Sequence, residues 1–388
     1  KAAMFPSLSF STGQQVVNRP YQETSSRVSG SEIISSNSKT SYNGNYGLNA
    51  SWTLYNGNKR LKTIQQEKLN NQMAELDVAT SENNIQESIA QVYIQILYAA
   101  ESVKVNENTL QVSIAQRDRG QELLNAGSIA KSDLAQLEAQ VSTDRYQLVT
   151  AQATLEDYKL QLKQLLELDG ENEMNIYLPT LSDENVLAPL PTKRDVYISA
   201  LSLRPEIEAS KLNVEASELG INIAKSSYFP TISLSAGIGT NHTSGSDFTF
   251  GEQVKNGWNN SIGLSVSVPI FNNRQTKSAV QKAKLQYETS MLSLLDEQKA
   301  LYKTIESLWL DANSAQQRYA AANEKLKSTQ ISYELISEQF NLGMKNTVEL
   351  LTEKNNLLQA QQEQLQAKYM AILNTQLLKF YQGDQLAL

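Results

Sequence analysis

The chain has 388 residues, and its 40% hydrophobic and 19% charged content is typical of a folded protein and excludes global disorder. A formal net charge of −7 argues against nucleic-acid binding, and zero cysteines exclude disulfides and thiolate chemistry within this sequence. The single histidine cannot form a histidine cluster, and no apolar run approaches the roughly 18 residues that a transmembrane helix needs.

Four short segments alternate strictly between apolar and polar residues, which predicts β-strands. They are FPSLSFSTG at 5–13, YGLNASWTLY at 46–55, FPTISLSAG at 229–237 and SIGLSVSVPI at 261–270. Their lengths suit tilted membrane strands of about 9–11 residues, and their polar sides are small and uncharged, as a solvated lumen allows. A soluble β-sandwich edge is the alternative. The residues predicted to face lipid are Leu48, Trp52, Leu54, Ile232, Leu234, Leu264, Val266 and Val268.

Aromatic residues mark the ends of these strands and resemble the girdle at a membrane interface. They are Phe5, Tyr55, Tyr228, Phe229 and Phe271. The strands form two pairs, and the connections from Gln14 to about Ser41 and from Thr240 to about Asn259 are rich in Ser, Asn and Gly. We expect both connections to be exposed, mobile loops.

Long helices fill most of the remaining chain. The stretch from about Asn58 to Asn125 contains no proline and only Gly120, and its apolar residues follow a heptad seam. A returning helix holds the same seam, in which Asp144 is the one charged residue. The second half repeats this pattern from Asn272, with a turn at 341–343.

The two halves are an internal repeat. Gly343 follows Gly127 by 216 positions (343 − 127), and Ile270 follows Leu54 by the same interval (270 − 54). The opening phrases at Phe5 and Phe229 lie 224 positions apart (229 − 5), so the first loop is eight residues longer (224 − 216). The repeat therefore extends without a gap from the second strand of each half through the hairpin turn.

In the first repeat, we predict a β-hairpin at 5–56 and a helical hairpin at 57–168, with its tip at 125–131. A connector at 169–203 and a helix at 204–228 lead to the second repeat. The second repeat has a β-hairpin at 229–271 and a helical hairpin at 272–383, with its tip at 341–347. The connector contains three prolines, and the helix after it begins with Pro205 near its first turn.

The order, spacing and duplication of these motifs resemble the TolC family of trimeric outer-membrane efflux channels. The motifs that carry this resemblance are the doubled opening phrase, the connector LPTL…LAPLPT, the stretch RPEIEASKLNVEASELGINIAKSSYFP, and the two tips NAGSIAKSDLAQLEAQ and NLGMKNTVELLTEKN. The resemblance covers essentially the whole chain. It implies a mainly α fold with a membrane β-barrel, in which long antiparallel coiled-coil hairpins form a periplasmic α-barrel. Four strands per protomer would give a 12-stranded barrel in a homotrimer.

The resemblance also implies the setting of the protein. It would lie in the outer membrane of a Gram-negative bacterium, in contact with lipid and with a large periplasmic part. As the exit duct of a tripartite efflux or secretion pump it would partner a periplasmic adaptor protein and an inner-membrane RND or ABC-type transporter. Nucleic acid, cofactors and metals are not expected.

Physical reasoning independently requires that the four strands either belong to an oligomer or do not lie in a membrane. Four strands cannot close a barrel, because small closed barrels need about eight, and an open edge in lipid leaves backbone groups unpaired. Hairpins roughly 100 Å long, at about 1.5 Å per residue, must pack against other hairpins to bury their seams. The first repeat lacks the helix that precedes the second, so we expect the chain to belong to a longer precursor.

The hairpin tips carry the candidate functional residues. Asp133 and Glu349 occupy equivalent positions at the start of the two returning helices. The resemblance assigns Glu349 to an acidic ring that gates the pore, with Glu353 one turn further on, whereas Thr352 stands where the family has a second acidic site. Three carboxylates around one axis would favour cations. The alternative for Asp133 and Glu349 is stabilisation of a helix N-terminus.

The turns themselves are the predicted docking site for the adaptor. The residues concerned are Gly127, Ser128, Ile129, Gly343, Met344 and Lys345. The two glycines permit a tight turn with positive φ, which is also a purely conformational reason for their presence.

No catalytic constellation is present. His242 stands alone in a polar loop, and the match of Gly237 to a GxGxxG motif fails at its last position. The resemblance makes a passive channel the leading hypothesis. A soluble periplasmic coiled-coil adaptor or scaffold is the alternative, and an enzyme is a distant third.

Overall fold

The computed structural model describes residues 2–21, 25–29, 32–36, 39–168, 176–177, 179, 186–246 and 248–386. The strands are β1 (Ser7–Asn18), β2 (Ser25–Ser29), β3 (Glu32–Ser36), β4 (Thr40–Asn56), β5 (Thr231–Thr243) and β6 (Asn259–Ser267). The helices are α1 (Lys59–Asn125), α2 (Lys131–Leu165), α3 (Lys193–Leu203), α4 (Pro205–Lys225), α5 (Phe250–Asn256), α6 (Gln275–Asn341) and α7 (Thr347–Gln382). Parts of the expected first loop and of the connector, including Leu178, Thr180 and Leu181, lie outside the described residues.

The two long helices α1 and α6 have 67 residues each, and α2 and α7 have 35 and 36. A left-handed backbone recurs at each junction of the repeat. It occurs at Gly57 before α1 and at Asn273 before α6, and at the hairpin turns at Gly127 (φ +73°) and Gly343 (φ +74°). Each pair is separated by the 216 positions (343 − 127) of the sequence repeat, so the duplication is present in the backbone itself.

The four predicted strands form one antiparallel sheet in the order β1-β4-β5-β6. Leu8 pairs with Ala50, which pairs with Ala236, which pairs with Ile262, so the apolar positions of all four strands fall in register on one face. The predicted fold class, long helical hairpins with four sheet strands per chain, is therefore confirmed. The strands extend beyond the predicted segments, since β1 reaches Asn18 and β4 begins at Thr40.

Both expected loops contain regular structure, contrary to the sequence analysis. The first holds the two-stranded hairpin β2–β3, and the second holds the short helix α5. Helix α5 begins with a capping box, in which Thr249 accepts from the Glu252 N–H and the Glu252 carboxylate accepts from the Thr249 N–H. A Thr followed three positions later by Glu is a recognised helix-start signal that the sequence analysis passed over.

Contacts divide the chain into two compact units. The first comprises Lys1–Met73 and Lys211–Ser293, and the second comprises Ala74–Ser210 and Leu294–Leu388. In the first unit α4 lies along the start of α1, where Gln66 Nε2 donates to the Ala216 carbonyl at 2.9 Å. No helix among the described residues combines the length and apolar character that crossing a membrane requires.

One hydrophobic cluster of the second unit is built around α3, which lies within the predicted connector. Val196 and Ala200 of α3 pack with Ile305 of α6 and Leu378 of α7, and all four are fully or almost fully buried. At the end of α3 the buried Arg204 guanidinium lies 3.6 Å from the centre of the Tyr381 ring. Its Nη2 donates to Glu87 Oε1 at 2.6 Å.

Candidate functional site

One face of the sheet is polar and built from small residues. Ser7 and Ser51 hydroxyls bond to each other at 2.7 Å, and Asn49 Nδ2 donates to Ser11 Oγ at 3.2 Å. Ser235 Oγ donates to the Gly263 carbonyl at 3.2 Å on the neighbouring strand pair. These hydroxyl and amide groups bond mainly to neighbouring strands of the same sheet. The face is therefore polar although the pairs described carry no charged side chain on it.

The opposite face carries the apolar residues predicted to meet lipid. Trp52, Leu234 and Leu264 form one cross-strand row, and Leu48 pairs with Ile238 in another. Most of these side chains are exposed in the single chain, Leu264 at 65%. An exposed, contiguous apolar face on an uncharged sheet requires a covering partner in place of water.

Two of the predicted lipid-facing residues lie outside the regular strand pairing. The β4–β5 register shifts between Thr53 and Tyr55, so Tyr55 takes the position opposite Ile232 and Leu54 is the extra residue of a bulge. Val268 lies beyond the end of β6, which ends at Ser267. Pro269 has no backbone N–H, so it could not donate a hydrogen bond to a neighbouring strand.

Each hairpin turn has the same hydrogen-bond pattern. Ser128 N–H donates to the Leu123 carbonyl at 2.8 Å, and Met344 N–H donates to the Gln339 carbonyl at 2.8 Å. Together with the positive φ at the preceding glycine, these bonds define Schellman turns. A methyl group added to either glycine would meet nothing within 4 Å, so the glycines serve the turn and not a close contact.

The two tips differ in what they expose. The second presents the large apolar side chains of Leu342, Met344 and Val348, at 75%, 70% and 58% exposure. The equivalent residues of the first tip, 216 positions earlier, are Ala126, Ser128 and Ser132. Leu342 and Val348 were missed by sequence reasoning, although comparison of the two repeats would have found them.

Of the other predicted docking residues, Ile129 is half-buried. Its side chain lies beside Gly120 of α1. Lys345 is also half-buried, and its Nζ lies 2.6 Å from Glu349 Oε1.

The predicted acidic residues lie in the first turns of the returning helices. Asp133 Oδ2 accepts from the Ala130 N–H at 3.0 Å, and Glu349 Oε2 accepts from the Asn346 N–H at 3.2 Å. Because Lys345 Nζ and the Asn346 N–H both donate to Glu349, its pKa lies below the ordinary carboxyl value. Both carboxylates are half-exposed and bonded to their own helix ends.

Glu353 lies further along α7 and accepts from Ser332 Oγ at 3.1 Å. It is half-buried against α6. The structure thus brings Glu349 and Glu353 onto one helix, while Asp133 belongs to the other hairpin.

A buried polar cluster links the two hairpins within the second unit. Lys354 Nζ of α7 donates to Asp144 Oδ2 of α2 and contacts Ser113 Oγ of α1, and Ser113 Oγ donates to Asp144 Oδ2 at 2.5 Å. Gln140 Nε2 donates to the second carboxylate oxygen at 2.9 Å. Burial lowers the pKa of the Lys354 amine, and the hydrogen bond and charge of Asp144 raise it only in part.

The seam position of Asp144 was visible in the sequence, but its partner Lys354 was missed. Lys354 also falls at a seam position, between Leu351 and Leu358. A pair of opposite charges at seam positions of two different hairpins is the signal that could have predicted this link. Among the described residues, no group of three or more His, Cys, Asp or Glu side chains is arranged to hold a metal ion.

The fold is that of outer membrane channels of known structure. A crystal structure of CusC superposes with a TM-score of 0.80 at 20% identity and covers 99% of this chain and 84% of that protein. VceC from Vibrio cholerae superposes with a TM-score of 0.77 at 16% identity, covering 100% of this chain and 89% of that protein.

The family model for outer membrane efflux proteins matches residues 1–167 and 196–383, and the chain belongs to this family. It is 24% identical over 294 residues to the outer membrane efflux protein BepC of Brucella suis, covering 75% of this chain and 61% of that protein. It is 24% identical over 296 residues to the outer membrane protein TolC of Escherichia coli K12, covering 74% of this chain and 58% of that protein. The chain thus spans about three fifths of the length of these two relatives.

Family membership confirms the resemblance read from the repeated motifs. The chain is an outer membrane protein of a Gram-negative bacterium with a large periplasmic part. The family consists of transport channels, so the chain is not an enzyme, and the soluble adaptor alternative is not favoured.

Proposed function

We propose that this chain is one protomer of an outer-membrane channel that exports substrates from the periplasm as the exit duct of a tripartite pump. The observation that carries the proposal is the two-faced sheet. Its apolar face is suited to lipid, and its polar face of Ser, Gly and Asn is suited to a water-filled lumen.

The open edges of the sheet support assembly as a homotrimer. Within the described part of the chain, the outer edges of β1 and β6 pair with no further strand of the sheet. Unpaired backbone groups are costly in lipid, so β6 of one copy would pair with β1 of the next. Three copies of four strands would close a barrel of 12 strands, above the roughly eight needed for closure.

The hairpin tips support docking of a periplasmic adaptor, which would in turn connect the channel to an inner-membrane RND or ABC-type transporter. Ser128, Met344 and the newly found Leu342 and Val348 are exposed on compact turns. The apolar second tip is the stronger candidate for the contact, because burying it would remove large apolar side chains from water. Relatives are named for cation efflux and for toxin and drug export, so we propose the channel function without assigning the exported substrate.

The acidic residues of the tips are proposed as the gate. Glu349 and Glu353 would form rings around the axis of the trimer, with Asp133 contributed by the other hairpin. Glu349 is half-exposed, and with a pKa below the ordinary carboxyl value it is ionised at neutral pH, as a cation-attracting ring requires.

Single-channel recording in planar bilayers tests the proposal. We expect discrete conductance from the reconstituted protein, and a loss of cation preference in Glu349→Gln and Asp133→Asn. Glu363→Gln, which removes a half-exposed carboxylate away from the tips, is the matched control. A protein that purifies without detergent and gives no conductance would rule out the channel. Unchanged selectivity in both tip variants would rule out the gate alone.

A further inference from the structure

Helix α5 folds back onto the apolar face of the sheet. Thr240 and His242 of β5 continue the alternate positions that begin with Ile232, and the β4–β5 register is unbroken from Asn43 to Thr53. The Phe250 ring of α5 lies 5.1 Å from the His242 ring and 6.5 Å from the Tyr46 ring, both edge-on. Since Tyr46 pairs with Thr240, these contacts are on the lipid-facing side of the sheet.

Hydrogen bonds fix α5 in this position. Thr240 Oγ1 donates to the Val254 carbonyl at 2.7 Å, and the Thr243 N–H donates to Gln253 Oε1 at 2.8 Å. Val254 and Gln253 are half-buried against the strand, whereas Glu252 and Lys255 are exposed. Helix α5 is thus a short amphipathic element attached to the sheet.

The segment that contains α5 exposes three large aromatic side chains. Phe248, Phe250 and Trp258 are 46%, 57% and 57% exposed. Phe250 contacts Tyr46, and Trp258 directly precedes Asn259, which pairs with Gly239 beside Thr240. The row of Tyr46 and Thr240 is one step of about 7 Å beyond the last apolar row at Leu48 and Ile238. Aromatic residues that end an apolar band are favoured at the boundary between acyl chains and headgroups, because the ring is apolar and its edge or N–H is polar.

We propose that α5 and its flanking aromatics Phe248, Phe250 and Trp258 rest in the headgroup region of the lipid bilayer, at the end of the barrel opposite the helical hairpins. This inference rests on the proposed function, because it requires the apolar sheet face to meet lipid. The occupant follows from continuity, since α5 packs on Thr240 and His242, the positions that continue the apolar face along β5. At this end of the barrel, the chain would then be anchored in the bilayer by helix α5 as well as by its strands.

Brominated lipids, which quench indole fluorescence on contact, test the inference. The chain has three tryptophans, so the variant Trp52→Phe/Trp309→Phe retains only Trp258. Reconstituted into phosphatidylcholine vesicles, it should lose more emission when bromine lies near the headgroup than when bromine lies at the acyl-chain centre. Acrylamide in the aqueous phase should quench Trp258 weakly. The matched variant Trp258→Phe/Trp309→Phe reports on Trp52, which the proposed function places within the apolar band.

The two variants separate the possible outcomes. Quenching of Trp52 by lipid, with Trp258 quenched by acrylamide alone, would overturn the inference and leave the channel standing. Trp258 shielded from both quenchers would mean that protein covers this surface, which also overturns it. If neither tryptophan responds to brominated lipid, the proposed function fails. Should Trp309→Phe disturb folding, the difference between the wild-type protein and Trp258→Phe gives the same measurement, because Trp258 is a surface residue.

Discussion

Lys354 of α7 and Asp144 of α2 form a salt bridge in which the two side chains are only 3% and 1% exposed. Such a pair contributes little net stability, because the loss of hydration offsets most of the attraction. Its effect is instead on specificity, since any arrangement that separates the two charges leaves one of them buried alone. The pair therefore favours the packing of the second hairpin on the first in which the two charges meet.

Lys354→Met should destabilise the protein strongly. The substitution leaves the Asp144 carboxylate buried with Ser113 and Gln140 as its neutral donors. We expect the free energy of unfolding to fall by about 3–5 kcal/mol, and Lys354→Met combined with Asp144→Leu to recover most of this loss. Denaturant unfolding followed by helical circular dichroism measures both.

The Lys325–Glu363 pair provides the control for that experiment. Its Nζ and Oε2 atoms are 2.8 Å apart, as in a good salt bridge, but its side chains are 43% and 42% exposed. Lys325→Met should cost less than about 1 kcal/mol. Equal losses at the two sites would show that burial is not the cause.

Gly57→Ala should be more harmful than Gly343→Ala, although both residues have positive φ. At Gly343 the new methyl group meets nothing within 4 Å, so the left-handed backbone alone costs about 1–2 kcal/mol. At Gly57 it would lie 2.6 Å from the Ser226 carbonyl oxygen, and the backbone must shift at an additional cost of about 1–3 kcal/mol. Thermal unfolding of the two variants measures the difference, and the reverse order would contradict it.

The stabilisation supplied by Glu349 should depend on pH. Its pKa is lowered in the folded protein by Lys345 and the Asn346 N–H, so the stabilisation is present above the ordinary carboxyl pKa of about 4.3 and is lost as the pH falls through the lowered value. We expect the difference in thermal midpoint between wild type and Glu349→Gln to be constant near neutral pH and to shrink below about pH 4. Lys345→Met, which removes the first donor, should reduce that difference at neutral pH. A difference that persists unchanged to low pH would contradict the assignment.

Arginine placed on the two faces of β6 should have unequal effects. Leu264 pairs with Leu234 on the apolar face, and Ser265 pairs with Ser233 on the polar face. If the apolar face meets lipid near the bilayer midplane, Leu264→Arg should cost about 2–4 kcal/mol and Ser265→Arg little. Unfolding from phospholipid vesicles is the measurement. Equal costs would show that the faces have been assigned wrongly.

The strands and long hairpins were predictable because each has a periodic pattern over many residues, and because the chain contains each pattern twice. Helices α3 and α5 were not predicted, because their 11 and 7 residues form only about two to three turns, too few for a helical pattern to repeat clearly. Their caps were nevertheless readable, at Thr192 with Asp195 and at Thr249 with Glu252. The bulge at Leu54 could not be foreseen, because it depends on the register of β4 against β5 and not on the alternation within one strand.

The buried pair also gives the duplicated hairpins distinct identities. The counterpart of Asp144 in the other repeat is Ala360 (144 + 216), and that of Lys354 is Glu138 (354 − 216). If two first hairpins packed together in this manner, Asp144 would lie against the carboxylate of Glu138. If two second hairpins did so, the Lys354 amine would lie beside Ala360 with no carboxylate partner. Packing two copies of the same hairpin in this manner would therefore leave a charge without an opposite partner, whereas packing one copy of each pairs the two charges.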